Sequence, residues 1–308
     1  MIVDRLEAWI RAGRPTTPDR VAWARAYSGA ESWAALASNF IPSEPAEERP
    51  GITLSSHFYC PRQLWLARLG KAVEDVAPRN YANWYMGRLA EKAVVAACIL
   101  AGLPVIGPRP GGNAQYRVSL PLAGKPRRGS IDLLLAADLM DAPAASVEAL
   151  GAYPAGGPVI LADVKSMADY GWEEAVNERC VGNTFGYEDQ LANYAIGLRA
   201  EGREVTWAGF VCAKKSTGHW AEVPLSTRDW TAHAAEMDRA CAAAEGAELP
   251  PRPSWATLRV VKAPGGTVEQ IEHVRCGYCA CRAACWPGFE QKIVSGKPVY
   301  RRPLEGSK

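Results

Sequence analysis

The placing of the cysteines limits the fold of this chain more than any other feature. Of nine, Cys60 stands alone in the run Cys60-Pro61-Arg62-x-x-Trp65. Three others close up far downstream as Cys276-x2-Cys279-x5-Cys285, with Cys281 between them. Whether such thiols form disulfides or hold metal depends on the compartment. The first residues, Met1 to Glu7, lack a basic stretch followed by an apolar core, so no secretory signal is expected. The longest apolar run, Ala93 to Leu103, is too short to cross a bilayer and reads as a buried helix. A cytoplasmic protein with no membrane partner is therefore expected. That compartment keeps thiols reduced, and clustered cysteines there bind metal more often than they pair. Cys98, Cys180, Cys212 and Cys241 stand in apolar or helical contexts and read as core thiols.

The 308 residues suffice for one large domain or two ordinary ones with a real core. Hydrophobic residues at 48% and charged residues at 22% fit a globular chain, and a net charge of +2 leaves nucleic-acid binding to local basic clusters. Residues 1–40 read as helical, and the proline- and glutamate-rich segment 42–51 as a linker. Thr53-x-Ser55-Ser56 reads as a helix cap leading into residues 63–68. The strongest helix pattern covers 81–102, with Gly102 and Pro104 as its stop. Residues 115–139 read as a β-hairpin broken at Gly124-Lys125-Pro126, and 143–158 as a loop. Strands are expected over 159–164, 205–213 and 219–223, and helices over 172–201 and 227–246. Pro250, Pro251 and Pro253 then break the chain before the cysteine-rich end.

Within these elements several polar residues sit where apolar ones are expected. Asp132 lies in Gly129-Ser130-Ile131-Asp132-Leu133-Leu134-Leu135, and a carboxylate in such a run is costly unless paired or bound to metal. In Asp163-Val164-Lys165 the two charges are at i and i+2 of a strand, so they project to one side. There the carboxylate suits a hard cation while the lysine, whose pKa burial readily lowers, positions or deprotonates a water. The carbonyl of Val164 is a further oxygen donor. Gln190 and Tyr194 share one helix face, and Glu91 lies four residues after Gly87 on the strong helix. Each has an ordinary alternative: a strand-end ion pair for Asp163 and Lys165, a turn cap for Asp132, an ion-paired surface acid for Glu91, and half-buried helix residues for Gln190 and Tyr194.

Taken in order, Gly87-x3-Glu91, Gly129-Ser130-Ile131-Asp132, Asp163-Val164-Lys165 and Gln190-x3-Tyr194 resemble the RecB-type nucleases of the PD-(D/E)XK superfamily, over roughly residues 53 to 286. That family usually has histidine where Glu91 stands; related phage exonucleases have glutamate. The resemblance implies an α/β fold, a central mixed β-sheet flanked by helices as in restriction endonucleases. It implies Mg2+ or Mn2+ held by Glu91, Asp132, Asp163 and the Val164 carbonyl, with Lys165 catalytic. Gln190 and Tyr194 would orient these groups or contact DNA. Cys60, Cys276, Cys279 and Cys285 are similar to the ligand set of the iron–sulfur members, which include the AddB nuclease domains and the RecB-like nucleases of CRISPR spacer acquisition. By that likeness they hold a [4Fe-4S] cluster in a subdomain built from both ends of the nuclease region. Such a closure, treated like a disulfide, would constrain the unfolded chain by about 5 kcal/mol. The competing metal is zinc, on a local set drawn from His273, Cys276, Cys279, Cys281 and Cys285.

The expected organisation is a helical extension and linker over 1–50, a nuclease core with its clasp over 51–290, and a basic tail over 291–308. The expected activity is metal-dependent DNA hydrolysis, chiefly as an exonuclease on single strands or duplex ends, in recombination, repair, phage DNA processing or CRISPR adaptation. The alternative is a DNA-binding or scaffold protein that keeps the fold and cluster without catalysis. Arg127, Arg128, Lys214 and Lys215 are the expected phosphate contacts, with Arg62, Arg68, Arg301 and Arg302 as further basic candidates. Trp84, Tyr85, Trp172 and Tyr187 are candidates for base stacking. No Gly-x4-Gly-Lys-Ser/Thr phosphate loop occurs, so strand movement would need a helicase or another recombination partner.

Overall fold

The computed structural model describes residues 1–14, 16–22, 24–25, 52–54, 60–71, 78–107, 115–141, 153–178, 186–225, 230–264, 266–273, 276, 279–294 and 297–304, without the side chains of residues 78–85, 170, 174, 178, 293, 297 and 298. The expected linker, the Ser55-Ser56 part of the cap, Cys180 and the Trp84 and Tyr85 rings lie outside this set.

The run Val159 to Val164 is buried at every position, as a strand covered on both faces requires. It begins strand β4 (Val159–Met167), the heart of a four-stranded sheet of order β3-β4-β5-β6. β3 (Leu133–Ala136) pairs with it antiparallel, and β5 (Val205–Lys214) pairs with it parallel. β6 (Trp220–Pro224) closes the far edge, antiparallel to β5. A parallel neighbour demands a crossover. Helices α4 (Asp169–Glu178) and α5 (Tyr187–Ala200) supply it where one helix over 172–201 was expected, and residues 179–185 between them are not described. The sheet is thus mixed and flanked by helices. α1 (Ile2–Arg11) lies by β6, where the Val3 amide donates to Glu222 Oε1 at 2.7 Å. α3 (Pro78–Leu100) packs on β4 and is followed by Gly102 in the left-handed region, at the expected stop.

The stretch read as one hairpin serves two sheets. β1 (Tyr116–Leu122) and β2 (Lys125–Ile131) pair antiparallel along their whole length. Their turn is Ala123-Gly124, both at positive φ, which matches the twist of a two-residue hairpin loop. The apolar residues that follow leave the hairpin and join the main sheet as β3. Asp132 is the single residue between β2 and β3. Against β2 lies Tyr194 of α5. A Cβ on Gly129 would fall 2.5 Å from Tyr194 Cε1 and 3.0 Å from Leu54 Cβ, so the motif glycine is needed for this approach.

The expected basic tail is not a tail. β7 (Leu258–Ala263), β8 (Gly266–Ile271), β9 (Glu290–Val294) and β10 (Lys297–Pro303) form an antiparallel sheet of order β7-β8-β10-β9. Two of the further basic candidates have cross-strand partners: Arg301 Nε donates to Gln270 Oε1 at 2.8 Å, and Arg302 pairs with Glu269 at 2.6 Å. Two prolines in Lys297-Pro298-Val299-Tyr300-Arg301-Arg302-Pro303 obscure the strand in sequence. Ile271, Cys276, Trp286 and Tyr300 make its small core.

Gly129→Ala should force Tyr194 off β2 and destabilise the protein by about 1–3 kcal/mol, as overpacking does. Urea unfolding checks this; an unchanged midpoint would mean that Tyr194 yields without strain.

Candidate metal and active-site centre

Three acids approach from three elements. Glu91 is on α3, on the same face as Gly87, whose added Cβ would lie 3.4 Å from Ser166 Oγ of β4. Asp132 holds the β2–β3 break, and Asp163 is on β4. Asp132 Oδ2 accepts the Val164 amide at 3.0 Å, which locks the break against β4. Asp163 is 1% exposed. Its Oδ2 lies 2.6 Å from Lys165 Nζ, yet off the direction of a hydrogen bond, and Oδ1 has no partner at all. Lys165 Nζ donates to Gln190 Oε1 at 3.3 Å and sits 4.6 Å over the Tyr187 ring; Gln190 Nε2 donates to the Tyr194 hydroxyl at 3.0 Å. So Asp132, Asp163, Lys165, Gln190 and Tyr194 form one connected group, with Glu91 joined to it through Gln115.

Gln115 is the residue that sequence reasoning missed. Its Nε2 stands 2.8 Å from Glu91 Oε1 and 3.1 Å from Asp132 Oδ1. A glutamine just before a strand carries no pattern of its own; only topology brings it here.

The electrostatics follow from crowding acids out of water. Burial, then the charges of Asp163 and Glu91, push Asp132 well above the usual carboxylate range, against Lys165 and the Val164 amide. Burial also raises Glu91, with Asp163 adding to it and the Gln115 bond opposing. Lys165 departs from expectation. Burial does act to lower its pKa, but Asp163 and Asp132 outweigh that, so the ammonium is held above the ordinary lysine value. In this cation-free arrangement the lysine favours its charged, donating form. Among the described residues no three His, Cys, Asp or Glu side chains already stand as a ready metal-binding group. The donor set nevertheless suits a hard cation: three carboxylates and, in Asp163 Oδ1, a buried acceptor without a donor.

The expected phosphate contacts separate by strand alternation. Arg127 is 5% exposed and pairs with Glu245 at 2.7 Å, so it is withdrawn from that set; Arg128 faces out. Lys214 is tied to Asp169 at 3.5 Å and Glu173 at 3.4 Å, whereas Lys215 is exposed. Arg62 and Arg68 donate to the carbonyls of Pro250 and Gly246. Of the expected stacking rings, Tyr187 lies under Lys165, and Trp172 packs half-buried against the core.

The cysteines gather as a second centre. Cys60 caps α2 (Pro61–Arg68), with Pro61 in the first turn where its missing amide is harmless. Cys60, Cys276, Cys279, Cys281 and Cys285 all line one small cavity, partly open to solvent, together with Arg252, Arg282 and Trp286. Burial pushes the Cys60 thiol up to about 12, and the charges of Cys279, Cys285 and Cys276 add to it. Burial likewise raises Cys276 to about 11. A metal bound here would have to displace these protons, since thiols ligate as thiolates. His273 packs at a tilt against Trp255, ring centroids 4.6 Å apart, and is not part of the cavity wall. Cys281 Sγ lies 3.5 Å from the Gln63 carbonyl. Cys98, Cys212 and Cys241 are buried in the main core, as expected.

No family model and no curated protein matches the chain. A solved structure described as SSO0001 aligns with a TM-score of 0.42 at 10% identity, over 84% of this chain and 96% of that one; a likeness of that degree carries no argument. No helix among the described residues is long and apolar enough to cross a membrane.

A pH dependence follows. Asp132 and Glu91 have folded pKa values above their unfolded ones, so their protonation stabilises the cation-free fold. That contribution is full below about pH 4 and is lost as pH rises through the folded values. In chelator, the melting temperature of the wild type should fall relative to Asp132→Asn as pH rises above about 4, and Mn2+ should close the gap. Parallel curves would show that Asp132 ionises in the fold as freely as in water.

Proposed function

We propose that the protein is a divalent-cation-dependent DNA nuclease of the PD-(D/E)XK type, acting chiefly as an exonuclease, with a structural iron–sulfur clasp. The observation that carries this reading is the buried carboxylate of Asp163, with an orphaned oxygen, beside Lys165 on one strand and facing acids from two other elements. Glu91, Asp132, Asp163 and the Val164 carbonyl are the residues to hold Mg2+ or Mn2+. When bound, the cation activates the attacking water and offsets charge at phosphorus.

The chain's own residues do the rest. The Lys165 ammonium, kept charged by Asp163 and Asp132, is placed to orient the water and to face negative charge that develops on a phosphate oxygen. Gln190 fixes the ammonium, and Tyr194 fixes Gln190. Exposed Arg128 and Lys215 are the remaining phosphate contacts, giving backbone rather than base recognition. At the second centre, Cys60, Cys276, Cys279 and Cys285 are the four thiolates for a [4Fe-4S] cluster. Two observations favour this set over zinc on the local one: Cys60 lines the same cavity as the downstream cysteines, and His273 does not. The clasp joins α2 to the C-terminal sheet. DNA ends or single strands are the proposed partners, with a helicase or other recombination protein supplying strand movement.

Anaerobically purified protein should degrade end-labelled DNA with Mn2+ or Mg2+ and not with chelator. Asp132→Ala, Asp163→Ala and Lys165→Ala should each lower the rate at least about 100-fold while the fold and bound iron persist. Full activity in any one of them would place the chemistry elsewhere. The same preparation should be brown, with about four irons per chain. Cys60→Ser should bleach and destabilise it, while Cys281→Ser should keep the iron. Stoichiometric zinc in a colourless folded protein would overturn the cluster.

A further inference from the structure

Glu91 and Asp132 belong to different elements, and one side chain bonds both. Gln115 is half-buried, and its single amide nitrogen lies 2.8 Å from Glu91 Oε1 and 3.1 Å from Asp132 Oδ1. That nitrogen carries two hydrogens about 120° apart, one for each acid. The other Asp132 oxygen is engaged by the Val164 amide. These two acids are therefore held at the spacing an NH2 group requires, with the positive end of the amide dipole between them. A small divalent cation needs its oxygens at roughly 2.0–2.2 Å. Both oxygens can close to that distance on one ion only by drawing to roughly 3 Å apart, which bends both Gln115 donors well off their line.

We propose that Gln115 is a built-in stand-in for the cation. It keeps Glu91 and Asp132 together in the cation-free protein, and it must slacken or give up its hold on Glu91 Oε1 or Asp132 Oδ1 as the acids close on the ion. It thereby sets how tightly the site takes a divalent ion. This rests on the reading of Glu91, Asp132 and Asp163 as cation ligands. Asp163 fits the first encounter, because its Oδ1 has no hydrogen bond to give up. Loss of the Gln115 donors should then have two opposite effects. The cation-free protein is weakened, since the acids face each other unscreened, and the ion binds more tightly, since nothing has to be displaced.

The test uses the full chain, purified anaerobically, freed of divalent ions with chelator and desalted. Mn2+ is titrated in without DNA, and free Mn2+ is followed by its electron paramagnetic resonance signal. The wild type should show a tight class of sites that Asp163→Asn removes. Gln115→Met keeps the length of the side chain and removes both donors. It should bind Mn2+ about tenfold more tightly, the scale of one charge-assisted hydrogen bond. It should also melt below wild type in chelator, with the gap closing at saturating Mn2+. Gln115→Ala should change both quantities in the same direction and guards against poor packing of the methionine. If the wild type binds Mn2+ and Gln115→Met binds it equally or less tightly, the stand-in is overturned and the acid site survives. If the wild type shows no class that depends on Asp163, the acid site and the stand-in both fall.

Discussion

The architecture around the acids turns on one buried charge. Asp163 sits in the central strand of the main sheet at 1% exposure, and a carboxylate there is tolerated only with a countercharge and donors. The strand supplies the countercharge two residues on, as Lys165, because i and i+2 share a face. That ammonium also needs fixing, and Gln190 and the Tyr187 ring of α5 supply it. Gln190 leans on Tyr194, and Tyr194 reaches its place only because residue 129 of β2 has no side chain. A line of requirements thus runs from one carboxylate to a glycine on a different sheet. It still leaves Asp163 Oδ1 unmet, which separates this arrangement from an ordinary buried ion pair.

The cysteine cavity is joined to the same region through polar contacts. Arg62, Trp65 and Arg68 of α2 donate to the carbonyls of Pro250 and Gly246, just beyond α6 (Trp230–Glu245). Glu245, the last residue of α6, pairs with Lys125 and Arg127 at the start of β2. β2 ends at Asp132. A metal that drew Cys60 and the downstream thiols together would therefore brace α2 against α6, and α6 against the strand that delivers an acid. Soft thiolates and hard carboxylates favour different metals, so the cysteine cavity and the acid cluster would not compete for the same ion. The inward turn of Arg127 ties β2 to α6, while its neighbour Arg128 stays exposed.

What the sequence disclosed, and what it hid, divides by range. Asp163 and Lys165 were legible because strand periodicity is local, and Asp132 because a charge in an apolar run is conspicuous. The burial of Arg127 was legible in principle, since it shares a face with Gly129 and Ile131. The motif drew attention to the charges and away from that alternation. Asp132 could be seen as an acid but not as a hinge: Leu133–Ala136 pairs with β4 rather than extending the hairpin, and that partner lies beyond any local pattern. The C-terminal sheet was hidden by its prolines and by arginines whose partners, Glu269 and Gln270, are a strand away. Gln115 was beyond reach altogether, because an uncharged amide advertises nothing until two acids are found against it.

On the proposed reading of the acids as cation ligands, Gln115 also suits a glutamate at position 91 better than the histidine usual in the family that the motifs resemble. A neutral imidazole offers a single acceptor nitrogen. Opposite Gln115 that nitrogen would be taken by the amide or by an ion, never by both. A carboxylate has two oxygens. In Glu91 the amide engages Oε1, and Oε2 remains to turn toward a cation as the amide lets go. Exchange can then proceed one oxygen at a time, without passing through a state in which the acid has neither partner. The glutamate and the glutamine are thus a matched pair: an amide placed between two acids suits a ligand with two oxygens at position 91 and obstructs one with a single nitrogen.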